Sequence, residues 1–341
     1  MNAPLNSTHL QPPTAVELVR ARPLLGTMVE IAATGADSVQ VQAAMARAFT
    51  EIEKIHALMS YHDESSDVSR INRGAFNAGV QVDAHTFRVL RAAQLMAQAS
   101  DGVFDITVAP MLARMGFLPK RANFSRVSPR GNWRNIILLE GNRVRLNSSL
   151  RIDLSGIAKG YAVDQAIKAL RETGMIAGRV NAGGDLRVFG GRVQRINVRD
   201  PNAHTQTIPL LEITQGAAAT SAGYYSARRY QGRMVTPIIH PHKRTACETG
   251  RSVTVLAKDC MSADALTKVV YASPGGALAV LKYYNARALI VEHNPLTHAC
   301  HIFDSNQAHP QQLNSHGGAC LRQRRTARLR QLHGLPGAHR G

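Results

Sequence analysis

Residues 151–185 carry the residue types best suited to chemistry in this chain. Two small residues, Ser155 and Gly156, precede a helical pattern that contains Lys159 in its first turn. The start of a helix presents unpaired N–H groups and a positive dipole, which suits a phosphate, and the lysine adds a point charge. The spacing therefore indicates a phosphate site, although an ordinary helix start has the same pattern.

A glycine turn with an acid follows the same helix. Gly183 and Gly184 precede Asp185. Because glycine lacks a side chain, its backbone can approach a ligand closely. Asp164, about one and a half turns beyond Lys159, can instead anchor the helix. A plain β-turn explains the glycines equally well.

Two further polar segments could contribute ligand contacts. In residues 59–72, His62 offers a flat ring for a planar ligand. In residues 102–112, Asp105 stands alone in an apolar run, where an acid is either hydrogen-bonded to nearby backbone or part of a site. Taken singly, each segment is also explained by a capped loop.

A third segment, CMSADALTKVVYA, has the spacing of a possible cation site. Asp264 and Thr267 are three residues apart, on one face of the predicted helix, and Lys268 is beside them. A carboxylate and a hydroxyl oxygen suit a hard cation such as Mg²⁺. The alternative is an acid stabilised by the dipole at a helix start.

The elements that must position these residues mix strands and helices without regular β-α-β alternation. Hydrophobic periodicity, caps and turn residues predict the following elements. Strands are predicted at 27–33, 186–189, 195–198, 252–259 and 288–291, a hairpin across 136–146, and helices after residue 37, at 84–99, after residue 155 and at 263–271. This order favours the α+β class.

Composition limits the protein classes. The 341 residues are 44% hydrophobic, enough for a full core, and no run of 18 apolar residues predicts a membrane span. The start lacks a secretory pattern, so we expect a cytoplasmic protein. The four cysteines contain no C-x-x-C pair, which argues against a zinc site.

The net charge of +18 favours anionic partners, but aromatic residues make up only 5% of the chain. Stacking platforms for nucleic acid are therefore scarce, and no nucleic-acid partner is expected. Part of the positive charge lies near the end of the chain. We predict a flexible lead-in over residues 1–21, a folded domain over 22–292, and a basic, disordered tail over 293–341.

Seven segments in order resemble the ApbE family of flavin transferases: MSYHDESSDVSRIN, GVFDITVAP, DLSGIAKGYAVD, NAGGDLRVFG, AAATSAGYY, SVTVLAKD and ADALT. The resemblance covers about residues 22–291. It implies an α+β fold, with mixed or antiparallel sheets and helices packed around a nucleotide cleft. It also implies FAD as substrate, Mg²⁺ as cofactor, and FMN transfer to a threonine hydroxyl of an acceptor protein with release of AMP.

The resemblance also implies roles for individual residues. Asp264, Thr267 and the backbone carbonyl of Ala158 would bind the metal, and Lys159 would act at the phosphates. Cofactor contacts would come from Met59, His62, Asp105, Thr107, Lys159, Gly183, Gly184 and Asp185.

This chain departs from the family pattern at three places. His62 stands where many members have a tyrosine. Pro237 stands where many members have a histidine proposed as the base, and His240 stands where they have an aspartate. His240 is a candidate base because imidazole titrates near neutral pH. Lys268 stands four residues after Asp264, where the family threonine is expected, so either Thr267 substitutes or the site has another geometry.

Three alternative functions remain open from the sequence. The first is an FAD pyrophosphatase, in which water replaces the acceptor hydroxyl and the products are FMN and AMP. The second is an FAD-binding protein without turnover. The third, favoured by charge alone, is a basic nucleic-acid-binding protein.

Overall fold

The computed structural model describes residues 15–76, 78–120, 131–199, 207–223, 226–293, 300–306 and 311–313. Its helices are α1 (Ser38–Met59), α2 (Asp67–Gly74), α3 (Ala84–Ala99), α4 (Ala109–Arg114), α5 (Ala158–Glu172), α6 (Cys260–Ala272) and α7 (Leu278–Tyr283). Its strands are β1 (Val16–Leu24), β2 (Thr27–Gly35), β3 (Val80–Gln81), β4 (Ile136–Leu139), β5 (Arg143–Leu146), β6 (Ala177–Ala182), β7 (Asp185–Phe189), β8 (Gln194–Arg199), β9 (Thr207–Ile213), β10 (Gly216–Ala222), β11 (Arg228–Tyr230), β12 (Arg233–His240), β13 (Thr245–Glu248), β14 (Arg251–Ala257), β15 (Arg287–His293), β16 (Cys300–Asp304) and β17 (Gln311–Leu313).

A large antiparallel sheet organises the described part of the chain. Its strand order is β1-β2-β6-β7-β10-β14-β15-β16-β17, and every neighbouring pair runs antiparallel. Three smaller sheets, β11-β12-β13, β3-β5-β4 and β8-β9, surround it. This confirms the predicted α+β class and places β7 and β10 side by side at the centre.

Helices α1, α5 and α6 pack together and against the central sheet. In α1, apolar residues at helical spacing are fully buried, including Val41, Met45, Phe49 and Ile52. The helix begins after Asp37, whose carboxylate accepts the Gln40 amide at 2.8 Å and so satisfies one free donor of the first turn. None of the described helices is long and apolar enough to cross a membrane.

The sequence pattern located four of the seven helices in the described residues and one hairpin. The helix predicted at 84–99 coincides with α3, and the hairpin predicted across 136–146 is formed by β4 and β5. The helix predicted after residue 155 is α5, and the one at 263–271 is the main part of α6.

The predicted domain limits need correction at both ends. Residues 16–21, assigned to the lead-in, lie in β1, which pairs along its whole length with β2. Strands β16 and β17 lie within the predicted tail and extend the central sheet. Backbone pairing orders these segments, although their side chains give little hydrophobic pattern. Residues 1–14 and 314–341 are outside the described residues.

Candidate active site

A cleft of about 800 Å³ opens where the start of α5 meets β6, β7, β8, β10 and β12. This volume is within the usual range for small-molecule sites, and it suits a dinucleotide. Of the residues predicted to contact the ligand, four line the cleft: Asp105, Lys159, Gly183 and Gly184. Lys268, identified in the sequence as a departure from the family pattern, lines it as well.

Lys159 forms a buried ion pair at the start of α5. Its Nζ lies 2.6 Å from Oδ2 of Asp185, which is 1% exposed, while the lysine side chain remains a quarter exposed towards solvent. Burial lowers the pKa of Lys159, but the carboxylates of Asp185 and Asp264 raise it by more. The lysine therefore carries a full positive charge at the cleft wall.

Asp264 is completely buried and accepts hydrogen bonds from two directions. Its Oδ2 accepts the Gly160 amide at 3.0 Å, which satisfies a free donor in the first turn of α5. Its Oδ1 pairs closely with the ammonium of Lys268, one turn further along α6. Burial raises the pKa of Asp264, but Lys268 and Lys159 lower it by more, so the carboxylate is ionised.

The predicted metal ligands are not assembled into one site. The Thr267 hydroxyl donates to the Asp264 carbonyl at 2.7 Å and lies 2.7 Å from Ser221 Oγ, so it does not join the carboxylate. Ala158 is the first residue of α5, where a carbonyl normally accepts the amide of residue i+4. The described part of the chain contains no group of three or more acidic, histidine or cysteine side chains able to hold a metal.

These side chains do not fit a divalent cation. The carboxylate that would bind it already carries the Lys268 ammonium, and Lys159 adds a second positive charge nearby. Like charges at this range repel strongly in a partly desolvated cleft. The described structure therefore does not assemble the expected Asp264–Thr267 magnesium site, because the Asp264 carboxylate pairs with Lys268 and the Thr267 hydroxyl bonds to the Asp264 carbonyl.

Helices α5 and α6 approach so closely because residue 160 is glycine. A Cβ at Gly160 would lie 2.3 Å from the Cys260 carbonyl oxygen and 2.8 Å from the Asp264 Cβ. Asp164, one turn later, accepts the Cys260 and Met261 amides, each at 2.9 Å. These bonds confirm that Asp164 anchors the helix pair, as the sequence suggested.

The glycine turn between β6 and β7 brings bare backbone to the cleft. Gly183 and Gly184 have φ values of +58° and +99°, which L-residues with a side chain rarely adopt. A Cβ at Gly183 would also lie 2.5 Å from the Thr27 hydroxyl. The turn positions Asp185 directly behind it, facing Lys159.

Asp105 lines the cleft but is also a loop anchor. Its Oδ1 accepts the Thr107 amide at 2.8 Å and its Oδ2 accepts the Trp133 amide at 3.2 Å. Burial raises the pKa of this carboxyl, and the hydrogen bonds oppose that rise. Thr107 itself is not among the cleft-lining residues of the described chain.

Three other predicted residues are not brought into the cleft within the described structure. Met59 is buried in the core at the end of α1, and His62 is exposed in the loop that follows. His240, the candidate base, ends β12, and its Nδ1 accepts the Lys243 amide at 3.4 Å. Burial, Lys243 and His242 lower the pKa of His240.

The cleft also contains polar residues that sequence reasoning missed. Asp153 is buried, and its carboxylate accepts the Ser155 amide at 3.2 Å and the Ser155 hydroxyl. Its position two residues before the small-residue turn was the available signal. Further polar residues that were not singled out come from β2, β6, β8 and β10, and only Asn181 and Ser221 among them lie in the quoted family segments. They include Thr27, Arg179, Asn181, Arg195, Arg199 and Ser221.

Comparison with known proteins identifies relatives of this chain. The sequence profile of the ApbE family matches residues 25–290. An FAD:protein FMN transferase of Vibrio cholerae is 30% identical over 235 residues, covering 63% of this chain and 69% of that protein. An FAD:protein FMN transferase of Haemophilus influenzae is 27% identical over 255 residues, covering 68% and 74%.

Solved structures share the fold. The crystal structure of the ApbE protein from Thermotoga maritima superposes with a TM-score of 0.71 at 29% identity, over 82% of this chain and 94% of that one. The flavin transferase ApbE from Vibrio cholerae gives a TM-score of 0.70 at 25% identity, over 85% and 97%. With its profile, fold and cleft in agreement, this chain belongs to the ApbE family.

Proposed function

We propose that this protein transfers FMN from FAD to a threonine hydroxyl of an acceptor protein and releases AMP. The observation that carries the proposal is the pair of ammonium groups, Lys159 and Lys268, on the wall of a dinucleotide-sized cleft. Relatives over most of the chain are named FAD:protein FMN transferases, which supports the same reaction here.

The proposed reaction breaks the phosphoanhydride bond of FAD and forms a phosphoester bond to the acceptor. The acceptor oxygen attacks the phosphorus that bears riboflavin, the bond from that phosphorus to the bridging oxygen breaks, and AMP departs with that oxygen. The proton of the acceptor hydroxyl passes to the phosphate of the departing AMP, directly or through water. Catalysis of this kind depends mainly on positioning and on stabilising negative charge, rather than on covalent chemistry by the enzyme.

Each proposed contact uses a feature of the cleft. Lys159 and Lys268 donate charge-assisted hydrogen bonds to the pyrophosphate, and the backbone at Gly183 and Gly184 approaches it closely. Asp185 and Asp264 hold the two lysines in place.

The side chains at this position do not fit the magnesium ion that the family resemblance implies. In family members that bind it, the ion would neutralise the pyrophosphate. Here Asp264 pairs with Lys268, and the Thr267 hydroxyl is bonded to backbone and Ser221. The proposed transfer therefore assigns the contacts with the pyrophosphate oxygens to the lysines and no step to a metal ion.

The test is incubation of the full-length protein with FAD and a flavin-acceptor domain, followed by mass spectrometry of the acceptor. We expect the acceptor to gain the mass of an FMN phosphoester. An acceptor whose target threonine is changed to valine is the matched control and should gain nothing. AMP release without any adduct would contradict transfer and indicate FAD hydrolysis.

A further inference from the structure

Lys268 occupies the polar face that Asp264 would otherwise present to a cation. Its Nζ pairs with Asp264 Oδ1 and also donates to the Asp264 carbonyl oxygen at 3.1 Å. The lysine side chain is 23% exposed, the aspartate is 0% exposed, and only the lysine lines the cleft. The charge that faces a ligand here is thus positive.

Each ammonium group around this position already has a carboxylate partner. Burial and Asp264 raise the pKa of Asp185 to about 7, and Lys159 and Lys268 oppose that rise. Two buried carboxylates, Asp185 and Asp264, face two ammonium groups, Lys159 and Lys268. A divalent cation at Asp264 would have to displace Lys268 and would then lie close to both lysines. Separating the Lys268 ammonium from the buried carboxylate would cost free energy, because their attraction is lost. Placing the ammonium near a dication would cost more, because like charges repel.

Lys268 also retains capacity for a ligand. An ammonium group has three N–H donors, and two of them go to Asp264 within the described residues. The third is available for a phosphate oxygen in the cleft. Gly156, at the small-residue turn before α5, lies against the Lys268 side chain, since a Cβ there would be 3.7 Å from its Cε. The lysine is thereby held beside the helix start that suits a phosphate.

We infer that the Lys268 ammonium takes the place of the divalent cation, so that this protein binds the pyrophosphate of FAD without a metal ion. The inference rests on the proposed function, because it concerns FAD in the same cleft. It identifies Lys268 as the residue that decides metal dependence.

The direct test measures FAD affinity of the full-length protein by titration calorimetry, once in EDTA and once in excess Mg²⁺. We expect the two dissociation constants to agree within about threefold. Tightening by Mg²⁺ of about tenfold or more would overturn the inference while leaving the proposed function intact. Failure to bind FAD in either buffer would instead contradict the proposed function.

Two variants sharpen the test. Lys268→Met should weaken FAD binding by about tenfold in both buffers, because the charge is lost without replacement. Lys268→Thr, which restores the hydroxyl of the family pattern, should weaken binding in EDTA and recover it in Mg²⁺. Lys282→Met, at an exposed position on α7, is the matched control and should bind like the wild type.

If both variants bound FAD in EDTA as tightly as the wild type does, and Mg²⁺ changed the affinity of neither, the role of Lys268 would be overturned. Thermal melting checks that each variant is folded. Since the comparison of the two buffers uses the wild-type protein, the inference stays decidable even where a variant does not fold.

Discussion

Lys159 pairs with a buried carboxylate and also lines the cleft, so its contributions to stability and to FAD binding can be measured separately. Lys159→Met removes the partner of the buried Asp185 carboxylate. An unpaired buried charge is costly, so we expect a loss of about 2 kcal/mol or more in the free energy of unfolding. Urea denaturation measures this loss, and FAD titration measures the loss of the pyrophosphate contact.

The double variant Lys159→Met/Asp185→Asn distinguishes these roles. It removes both charges of the pair, so most of the stability should return. FAD affinity should stay weak, because no ammonium remains at that position. A double variant that binds FAD like the wild type would show that Lys159 is a structural residue only.

At the scale of residues, the spacing in the sequence predicted several residues that line the cleft but not the partners of Asp264. Lys159, Gly183 and Gly184 line the cleft because a helix start and a glycine turn have local signatures. Residues three and four positions from Asp264 both share its helix face. The choice between Thr267 and Lys268 was made by tertiary contacts, since Ser221 on β10 bonds to the Thr267 hydroxyl.

At the scale of elements, the crossing of α5 and α6 shapes the site. Gly160→Ala would place a methyl group 2.3 Å from the Cys260 carbonyl oxygen. Alanine is the better helix former, but overpacking outweighs that gain, so we expect a loss of about 1–3 kcal/mol in unfolding free energy. FAD affinity should fall too, because Asp264 and its lysine move away from the start of α5.

Gly275→Ala is the matched control for this substitution. No atom lies within 4 Å of a Cβ at Gly275, and its backbone conformation is open to other residues. Its melting temperature should equal or exceed that of the wild type. If Gly160→Ala melts like Gly275→Ala, the close approach of the two helices does not matter for stability.

Elements with strong local patterns were predictable, and elements held by pairing were not. Helix α3 was predicted from its periodicity, and the structure adds an N-cap at Asp83, whose side chain accepts the His85 amide. Strand β10, GAAATSA, has small residues with low strand preference, yet it pairs with β7 on one side and β14 on the other. Its strand conformation depends on neighbours that are distant in sequence.

On the scale of the whole molecule, the end of the domain is set by sheet pairing. Truncation after Val291 would remove the end of β15 and all of β16, including the Asp304 partner of Arg287. We expect such a protein to melt lower and to express less soluble material, because an unpaired edge is exposed. Truncation after Leu313 keeps every described strand and should keep wild-type melting and FAD affinity.

Equal stability of the two truncated proteins would contradict this account and restore the shorter domain predicted from the sequence. That prediction followed composition, which changes near residue 293. The composition of the cleft could likewise not be predicted from local sequence patterns. Its arginines come from β6 and β8, and only the folded sheet brings those strands to the start of α5.

The central claim is that FMN passes from FAD to a protein hydroxyl. Its most direct measurement is the ratio of AMP released to FMN bound covalently to the acceptor, both quantified in one reaction. The account predicts one AMP for each FMN attached, and no AMP beyond background when the acceptor lacks its threonine. AMP formed in excess of bound FMN, at a rate independent of acceptor, would contradict it and identify the protein as an FAD hydrolase.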